Sequence, residues 1–236
     1  SVRRASLVLA DSEQTKRDLV AYLDAPPEKV AVVLSAADAL FRRVEDPERV
    51  AEVLARWGVE RPYLISVGTI QPRKNLPVVF EALGRLRREG RDLRLVHVGG
   101  KGWLYQPVFA ALDQCGVGDA VRFLEGVPDA DLAVLYSAAA ALAFPSRYEG
   151  FGIPCLEAMA CGAPVIASRA GSLAEVVGDA GIAVEPQDAP AIAAGVARLL
   201  DDPPFRDDLV RRGYARAAGF SWEASGRRLR ELLEGL

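Results

Sequence analysis

The sequence predicts an α/β fold, a Rossmann-like doubly wound parallel sheet with helices on both faces. Short apolar runs alternate with longer segments in which apolar residues recur every three or four positions. The runs are apolar along nearly their whole length, which is typical of parallel strands buried on both faces. Glycines, cations and carboxylates directly follow several runs, as expected at the carboxyl edge of such a sheet.

Eight strands are predicted, and the last six are enough for one doubly wound domain. Helical periodicity lies between them, for example in the segment that holds Leu76, Val79, Phe80, Leu83 and Leu86. The predicted strands are residues 7–10, 30–34, 63–67, 93–98, 121–124, 140–144, 164–167 and 182–184.

The two ends of the chain form smaller parts. Residues 1–42 read as a strand, a helix capped by Asp11 or Ser12, and a second short strand, which is too little for a domain. Residues 43–61 hold a charged helical segment that is typical of a linker. A last helix, with Ser221 as its N-cap, is predicted to end at Leu236.

The charge balance gives no reason to expect nucleic acid as a partner. The 236 residues carry 29 Lys and Arg against 32 Asp and Glu, a net charge of -3, whereas nucleic-acid binding usually needs a basic face. Four arginines on one predicted helix could form a basic patch, but such a run is more often a solvated face. They are Arg85, Arg87, Arg88 and Arg91.

The cysteines favour a reducing, cytoplasmic compartment. Cys115, Cys155 and Cys161 show no C-x-x-C spacing, so neither a zinc site nor a disulfide framework is indicated, and the last two are typical of small core residues. No apolar run approaches the roughly 20 residues that span a bilayer, and no secretory signal is present. Because the chain begins at Ser1 and its only methionine is Met159, we expect an excerpt, a processed product or an engineered chain.

Five successive loops after predicted strands indicate a binding cleft along one sheet edge. They read GTIQPRKN, GGKGW, EGVPD, PSRYEGFG and SRAGS. In the first, Arg73 and Lys74 precede a helix, where a guanidinium fork and an ammonium could neutralise a diphosphate. The alternative is a solvated cationic turn in which Asn75 merely caps the helix. In the second, residues 99–102 lack the G-x-G-x-x-G spacing, so a dinucleotide site is not indicated.

The fourth loop opens the segment SRYEGFGIPCLEAMACG, residues 146–162. Gly150 and Gly152 allow a ligand to approach the backbone closely, and the helix that follows would point its free N–H groups at the cleft. Glu149 lies just before this helix and Glu157 about one turn inside it, so the two acids could reach different parts of one elongated ligand. The alternative is structural, with Glu149 capping a turn and Glu157 complementing the helix dipole.

Other conspicuous residues favour structural interpretations. His97, the only histidine, lies inside a predicted strand. With one histidine and no G-x-S-x-G motif, neither a His-rich metal site nor a Ser-His-Asp triad is indicated. Asp129 and Asp131 match the metal-binding pattern D-x-D, but they open a predicted helix, where acids are favoured by capping and by the dipole. No metal site is therefore predicted. Trp103 could stack on a base or simply pack, and both interpretations stay open.

Together these motifs resemble a known family. The pattern E-G-F-G-x-P-x-x-E, preceded by F-P-S and followed by A-M-A-C-G-x-P-V-I-A-S, resembles the signature of the retaining glycosyltransferases of family 4, which have the two-domain GT-B fold. S-V-G-T-x-x-x-R-K-N, V-P-D-x-D-L-x-x-L-Y and G-S-L-x-E-V-V-G-D-A-G extend the resemblance over the chain. The combination is highly specific, whereas any single piece is not.

The resemblance implies a role for each matched residue. Arg73 and Lys74 would hold the diphosphate of a nucleotide-sugar donor and stabilise the leaving nucleotide, and Glu149 would contact the sugar near its reacting carbon. Glu157 would accept hydrogen bonds from the ribose. The implied catalytic residues are Glu149, Arg73 and Lys74. The implied donor-binding residues are Gly68, Gly126 and Val127 (the last two near the base), Gly150, Phe151 and Gly152 (around the sugar), Glu157, and Gly171 and Ser172 (beside the phosphates). No metal or cofactor is implied.

The resemblance also implies that part of the enzyme is missing. Residues 1–42 would be a remnant of the N-terminal acceptor domain, 43–61 a linker helix, 62–220 the donor-binding domain and 221–236 a helix that crosses back to the first domain. The implied activity is transfer of a hexose from a UDP-sugar or GDP-mannose to an unknown acceptor with retention. It would be weak or absent without the missing domain, supplied in cis or in trans, through which peripheral membrane contact would arise. The alternatives are a non-catalytic nucleotide-sugar binding or regulatory module and an epimerase.

Overall fold

The computed structural model describes residues 2–235, so Ser1 and the predicted helix end at Leu236 lie outside it. All eight predicted strands are present, within two residues of the predicted bounds. The strands are β1 (Val8–Ala10), β2 (Val30–Val32), β3 (Tyr63–Val67), β4 (Arg94–Val98), β5 (Val121–Leu124), β6 (Ala141–Phe144), β7 (Val165–Ser168) and β8 (Ile182–Val184).

Strands β3 to β8 form one parallel sheet in the order β5-β4-β3-β6-β7-β8. The chain winds outwards from β3 to β5 and then returns to β6 on the other side of β3, where Leu64 pairs with Ala141. In open α/β sheets, ligands bind beyond the carboxyl ends of the strands where the winding reverses. The loops after β3 and β6 therefore flank the expected binding crevice.

Helices cover both faces of this sheet, which confirms the predicted doubly wound α/β class. Neighbouring strand residues face opposite cores: Ile65 packs with helices of one face and Leu64 with those of the other, and both side chains are fully buried. The helices are α1 (Glu13–Leu23), α2 (Pro47–Trp57), α3 (Leu76–Arg88), α4 (Gln106–Cys115), α5 (Asp129–Ala138), α6 (Ile153–Ala160), α7 (Leu173–Val177), α8 (Ala189–Asp201), α9 (Pro203–Ala218) and α10 (Trp222–Glu234).

Polar side chains define where several helices begin. Ser12, rather than Asp11, caps α1, because its Oγ accepts the N–H of Thr15 at 3.0 Å. Ser221 caps α10 in the same way through Ala224. Strands β1 and β2 form a separate parallel pair, and α10 contacts the segment that follows β2, since Ser225 donates to the carbonyl of Leu34.

The D-x-D pair opens α5, as predicted, and Asp131 has a structural role. Its carboxylate is buried and accepts hydrogen bonds from Arg49 at 2.7 Å and from Arg56 and the indole of Trp57, each at 2.9 Å. Burial alone would raise the pKa of Asp131, but the hydrogen bonds from Trp57 and Arg56 and the charges of both arginines lower it. These contacts fasten α2 to α5.

The remaining conspicuous residues also lie where structure explains them. His97 is fully buried in β4, and burial lowers its pKa to about 4, so the ring is neutral. Cys155 and Cys161 are buried, and burial raises the pKa of both thiols. Three of the four arginines of the predicted basic patch form separate ion pairs, Arg85 with Glu81, Arg87 with Asp119 and Arg91 with Asp201. Within residues 2–235, no helix is both long and apolar enough to cross a bilayer.

Candidate functional site

Four adjacent loops meet at the carboxyl edge of the sheet and are joined by backbone hydrogen bonds. The loop after β3 contacts that after β4 through Gly68 N–H and the Val98 carbonyl at 2.9 Å. It contacts the loop after β6 through the Arg73 carbonyl, which accepts from Arg147 at 2.9 Å. The loops after β6 and β7 join where Ser172 N–H donates to the Glu149 carbonyl at 3.2 Å. The predicted cleft edge is thus one connected backbone network.

Glycines at this edge allow the close approach of other groups. A Cβ at Gly68 would lie 2.8 Å from Cε of Lys74, so the glycine lets the lysine lie across the backbone. A Cβ at Gly171 would lie 2.6 Å from the carbonyl oxygen of Glu149. Both residues also have positive φ, at 129° and 60°, which L side chains rarely adopt.

Two cations converge on one carboxylate beside the switch point. Nη1 of Arg73 lies 2.6 Å from Oε2 of Glu149, and Nζ of Lys74 lies 2.8 Å from Oε1. The Glu149 side chain is 10% exposed, whereas the Arg73 side chain is 38% exposed. Burial would raise the pKa of Glu149, but the two cations lower it, so the acid is ionised. The cluster therefore presents one uncompensated positive charge at the edge of the cleft.

This cluster contradicts the interpretation of residues 73–75 as a solvated turn with a helix cap. The Lys74 side chain is only 12% exposed, and Nζ lies 4.6 Å from the centre of the Phe144 ring. Asn75 makes no side-chain cap; its amide instead donates to the carbonyls of Pro145 at 3.1 Å and Pro186 at 2.6 Å. Asn75 therefore ties the turn to the neighbouring loops, and the cations are held in place.

Next to these cations lie residues 149–152, which we call the 149–152 loop. Three of its backbone N–H groups have no partner in the described protein. The hydroxyl of Ser172 lies 3.0 Å and 2.7 Å from the carbonyl oxygens of Glu149 and Phe151, and Ser12 donates to the carbonyl of Gly150 at 2.7 Å. Within residues 2–235, no protein acceptor binds the N–H groups of residues 150–152. Helix α6 then begins at Ile153, as predicted. Amides without protein partners are ready to bind a ligand's oxygens.

Glu157 lies one turn inside α6 and is paired with a buried tyrosine. The Tyr136 hydroxyl donates to Oε2 of Glu157 at 3.0 Å, and Phe41 packs edge-on against the Tyr136 ring with 6.0 Å between ring centres. Burial raises the pKa of Glu157 to about 7, and the hydrogen bond from Tyr136 opposes that rise only in part. The second carboxylate oxygen, Oε1, has no hydrogen-bond partner among the described protein groups and is free to accept from a ligand.

A cavity of 550 Å³ lies elsewhere, at the amino edge of the sheet, beside Pro62, Ala140 and Pro164. Arg43, Arg61 and Arg206 line it. The groups just described lie at the opposite edge, where ionised side chains, free amides and the topological switch coincide. We place the functional site there because chemistry, rather than enclosed volume, distinguishes it.

A protein-family model matches the larger part of the chain. The family model described as "Glycosyl transferases group 1" matches residues 55–216. The chain belongs to this family of glycosyltransferases. All the loops of the carboxyl edge lie inside the matched region.

Named relatives come from bacteria. The chain is 35% identical over 225 residues to the O-antigen chain mannosyltransferase B of Escherichia coli, covering 94% of this chain and 59% of that protein. It is 36% identical over 233 residues to a D-inositol 3-phosphate glycosyltransferase of Frankia alni, covering 93% and 56%. The chain therefore spans a little over half the length of these relatives.

Solved structures show the same fold. Sucrose-phosphate synthase from Thermosynechococcus elongatus superposes with a TM-score of 0.84 at 29% identity, covering 100% of this chain and 60% of that one. Anabaena HepE in complex with UDP-glucose gives a TM-score of 0.88 at 22% identity, covering 98% and 64%. The architecture of this glycosyltransferase chain is thus the Rossmann-like C-terminal half of a GT-B fold, as predicted.

Most of the predicted site residues lie together. Gly68, Arg73 and Lys74 join the 149–152 loop and the Gly171–Ser172 turn in one cluster. Gly126 and Val127 follow the end of β5. The residue before them, Glu125, lies next to the loop after β4, because a Cβ at Gly100 would lie 2.6 Å from its Oε1. Trp103 is 75% exposed, so it does not pack in the core.

Sequence reasoning missed three partners of the predicted residues. They are Tyr136, which donates to Glu157, and Ser12 and Thr15, which contact the Gly150 carbonyl. The pairing of Glu149 with both cations was also not predicted. Two of the missed residues carried a signal in the sequence: Ser12 was a candidate helix cap, and Tyr136 is the last residue of the motif V-P-D-x-D-L-x-x-L-Y.

Proposed function

We propose that this chain is the donor-binding half of a retaining family 4 glycosyltransferase, which transfers a hexose from a nucleoside-diphosphate sugar. One observation carries the proposal: two fixed cations, an ionised carboxylate and three free amides lie side by side at the topological switch point. The cations suit a diphosphate, and the amides and the carboxylate suit sugar hydroxyls. Two relatives, a mannosyltransferase and a glycosyltransferase, and the UDP-glucose complex of a structural neighbour support it.

The proposed reaction breaks the bond between the anomeric carbon of the sugar and the diphosphate oxygen. Arg73 and Lys74 stabilise the charge that develops on the departing nucleoside diphosphate. Both cations are positioned before the donor arrives, because Glu149 holds them. The acceptor hydroxyl attacks the same face of the sugar that the leaving group vacates and forms the new carbon–oxygen bond there, while its proton passes to the departing diphosphate oxygen. Glu149 positions the sugar through its hydroxyls, and no covalent nucleophile takes part.

The other residues bind the rest of the donor in this proposal. Glu157 accepts from the ribose hydroxyls, and the loop that holds Gly126 and Val127 lies near the base. Gly171, Ser172 and Gly68 border the phosphates through their backbone. No metal ion is proposed, since the D-x-D acid Asp131 is already bound by two arginines and a tryptophan.

An N-terminal acceptor domain completes the enzyme in this proposal, in cis or in trans. Residues 1–42 belong to that domain, residues 43–61 form the linker and residues 221–236 cross back towards it. Peripheral membrane contact, if the acceptor is a lipid, arises through that domain, and the site operates in the cytoplasm. Adding the domain is expected to raise transfer by orders of magnitude over the chain alone, because it supplies the acceptor site.

The donor site is tested by isothermal titration of the chain with UDP, GDP and ADP and with their glucose or mannose conjugates. We expect selective binding of one base, weakened at least about tenfold in Arg73→Ala and in Glu157→Ala, since each loses a direct contact with the nucleotide. Arg85→Ala is the matched control, because Arg85 is an arginine paired with Glu81 on α3 and away from the cleft. Unchanged affinity in Arg73→Ala would refute the assignment of the diphosphate site.

A further inference from the structure

We propose that Ser12 and Thr15, at the start of α1, are positioning residues that set the orientation of the Gly150 peptide in the 149–152 loop. The proposal rests on the proposed function of that loop as the sugar-binding part of the donor site. It assigns a role in donor binding to residues that lie outside the main sheet and outside the matched family region.

The contact is direct and bridges distant parts of the sequence. Ser12, which is fully buried, donates from Oγ to the Gly150 carbonyl at 2.7 Å, across 138 positions of sequence. The hydroxyl of Thr15 lies 3.3 Å from the same oxygen. A Cβ at Gly150 would lie 2.9 Å from Oδ2 of Asp11, so the start of α1 packs against the bare glycine backbone. Two hydroxyls thus converge on one peptide of the site.

The start of α1 is itself fixed to the main domain. The carboxylate of Glu175, on α7, accepts the N–H groups of Glu13 at 3.0 Å and Gln14 at 3.2 Å. On the other side, the Tyr148 hydroxyl donates to Asp18 of α1 at 2.6 Å. These contacts hold Ser12 in a defined place beside the 149–152 loop, which a positioning residue requires.

Because a peptide unit is planar, a hydrogen bond that fixes the Gly150 carbonyl also fixes the direction of the Phe151 N–H. In a trans peptide, the carbonyl and the following N–H point in opposite directions. A Gly150 carbonyl held by Ser12 therefore turns the N–H of Phe151 away from α1. Because glycine allows more backbone conformations than other residues do, the Gly150 peptide depends on hydrogen bonds from other residues to hold its orientation. Ser172 anchors the carbonyls on either side, which leaves Gly150 dependent on Ser12 and Thr15.

The test compares Ser12→Ala with Ser221→Ala by titration with UDP, GDP, UDP-glucose and GDP-mannose. Each variant removes the N-cap of one helix, but only Ser12 contacts the 149–152 loop. We expect Ser12→Ala to weaken binding of the nucleotide sugar about tenfold and binding of the nucleoside diphosphate less than about twofold, since one hydrogen bond to the sugar subsite is misplaced. Ser12→Thr, which keeps the hydroxyl, should bind like the unchanged chain, and so should Ser221→Ala.

Equal weakening of both ligands, or equal effects in Ser12→Ala and Ser221→Ala, would overturn the proposal. If the unchanged chain binds none of the four probes, the proposed function fails, and hydrogen exchange then decides the positioning role by itself. Ser12→Ala should speed exchange in peptides that cover residues 147–156 and leave residues 63–67 unchanged, relative to Ser221→Ala. Unaltered exchange in residues 147–156 would contradict a positioning role.

Discussion

Replacing Glu149 by glutamine is expected to lower transfer about 10²- to 10³-fold, a loss typical of removing one preorganised catalytic group, while the affinity for nucleoside diphosphate stays the same or rises. The first effect follows because glutamine cannot hold the sugar with a negative charge near its reacting carbon. The effect on affinity follows because, in the unchanged chain, the Glu149 carboxylate neutralises part of the charge of Arg73 and Lys74, whose nitrogens lie 2.6 Å and 2.8 Å from its oxygens. Without the negative charge of Glu149, both cations are available to the diphosphate, and the diphosphate is no longer repelled by a nearby carboxylate.

The measurement pairs turnover with titration. Turnover is measured in the chain completed by its acceptor domain, and nucleotide affinity in the same protein, so that a loss of kcat is separated from a loss of binding. Glu81→Gln is the matched control, since Glu81 is an exposed acid that pairs with Arg85 on α3. If turnover and nucleotide affinity fell together, Glu149 would serve binding alone, as in a non-catalytic nucleotide-sugar module.

Replacing Glu157 by glutamine is expected to stabilise the fold at alkaline pH while it weakens nucleotide binding. Burial raises the pKa of Glu157 to about 7 from its usual 4.5. The folded chain thus binds a proton that the unfolded chain has released, so this group's stabilisation is complete below pH 4.5 and is lost as the pH rises through 7. A shift of this size corresponds to about 3 kcal/mol at most. Glutamine has no such dependence, because it never ionises.

Denaturant unfolding at pH 5 and pH 8 measures this effect. The unchanged chain should lose about 2 to 3 kcal/mol more unfolding free energy between these pH values than Glu157→Gln does. Tyr136→Phe provides the complement, since loss of the hydrogen bond to the carboxylate should move the transition to higher pH. Nucleotide affinity should fall in Glu157→Gln, because a neutral amide oxygen accepts a hydrogen bond from a ribose hydroxyl more weakly than a carboxylate oxygen does. Parallel pH profiles in both proteins would show that Glu157 is not the buried titrating acid.

The fold was predictable because its signals are local. Each strand of the main sheet is apolar along its length, so its existence and its parallel, doubly buried setting follow from short windows such as residues 63–67. The start of α6 at Ile153 followed from the glycine pair and Pro154. Helix caps were less certain, since Asp11 and Ser12 are both good caps and only the backbone geometry selects Ser12.

The proximity of the candidate site residues was predictable, but the ion pairs between them were not. Loops after parallel strands collect at one edge, which brought Arg73, Lys74 and Glu149 together as expected. The ion pair between Lys74 and Glu149 joins residues 75 positions apart, and nothing in either loop alone indicates which charges will meet. The contact between Ser12 and Gly150 depends on where a separate two-stranded unit sits against the main sheet, which no local pattern encodes.

The most direct test of the account is a crystal structure of this chain with the nucleotide sugar that titration selects. We predict the diphosphate within about 3 Å of the Arg73 guanidinium and the Lys74 ammonium, with the sugar against residues 149–152 and the ribose on Glu157. A nucleotide seated instead in the cavity at the amino edge, against Arg43, Arg61 and Arg206, would contradict the assignment of the donor site.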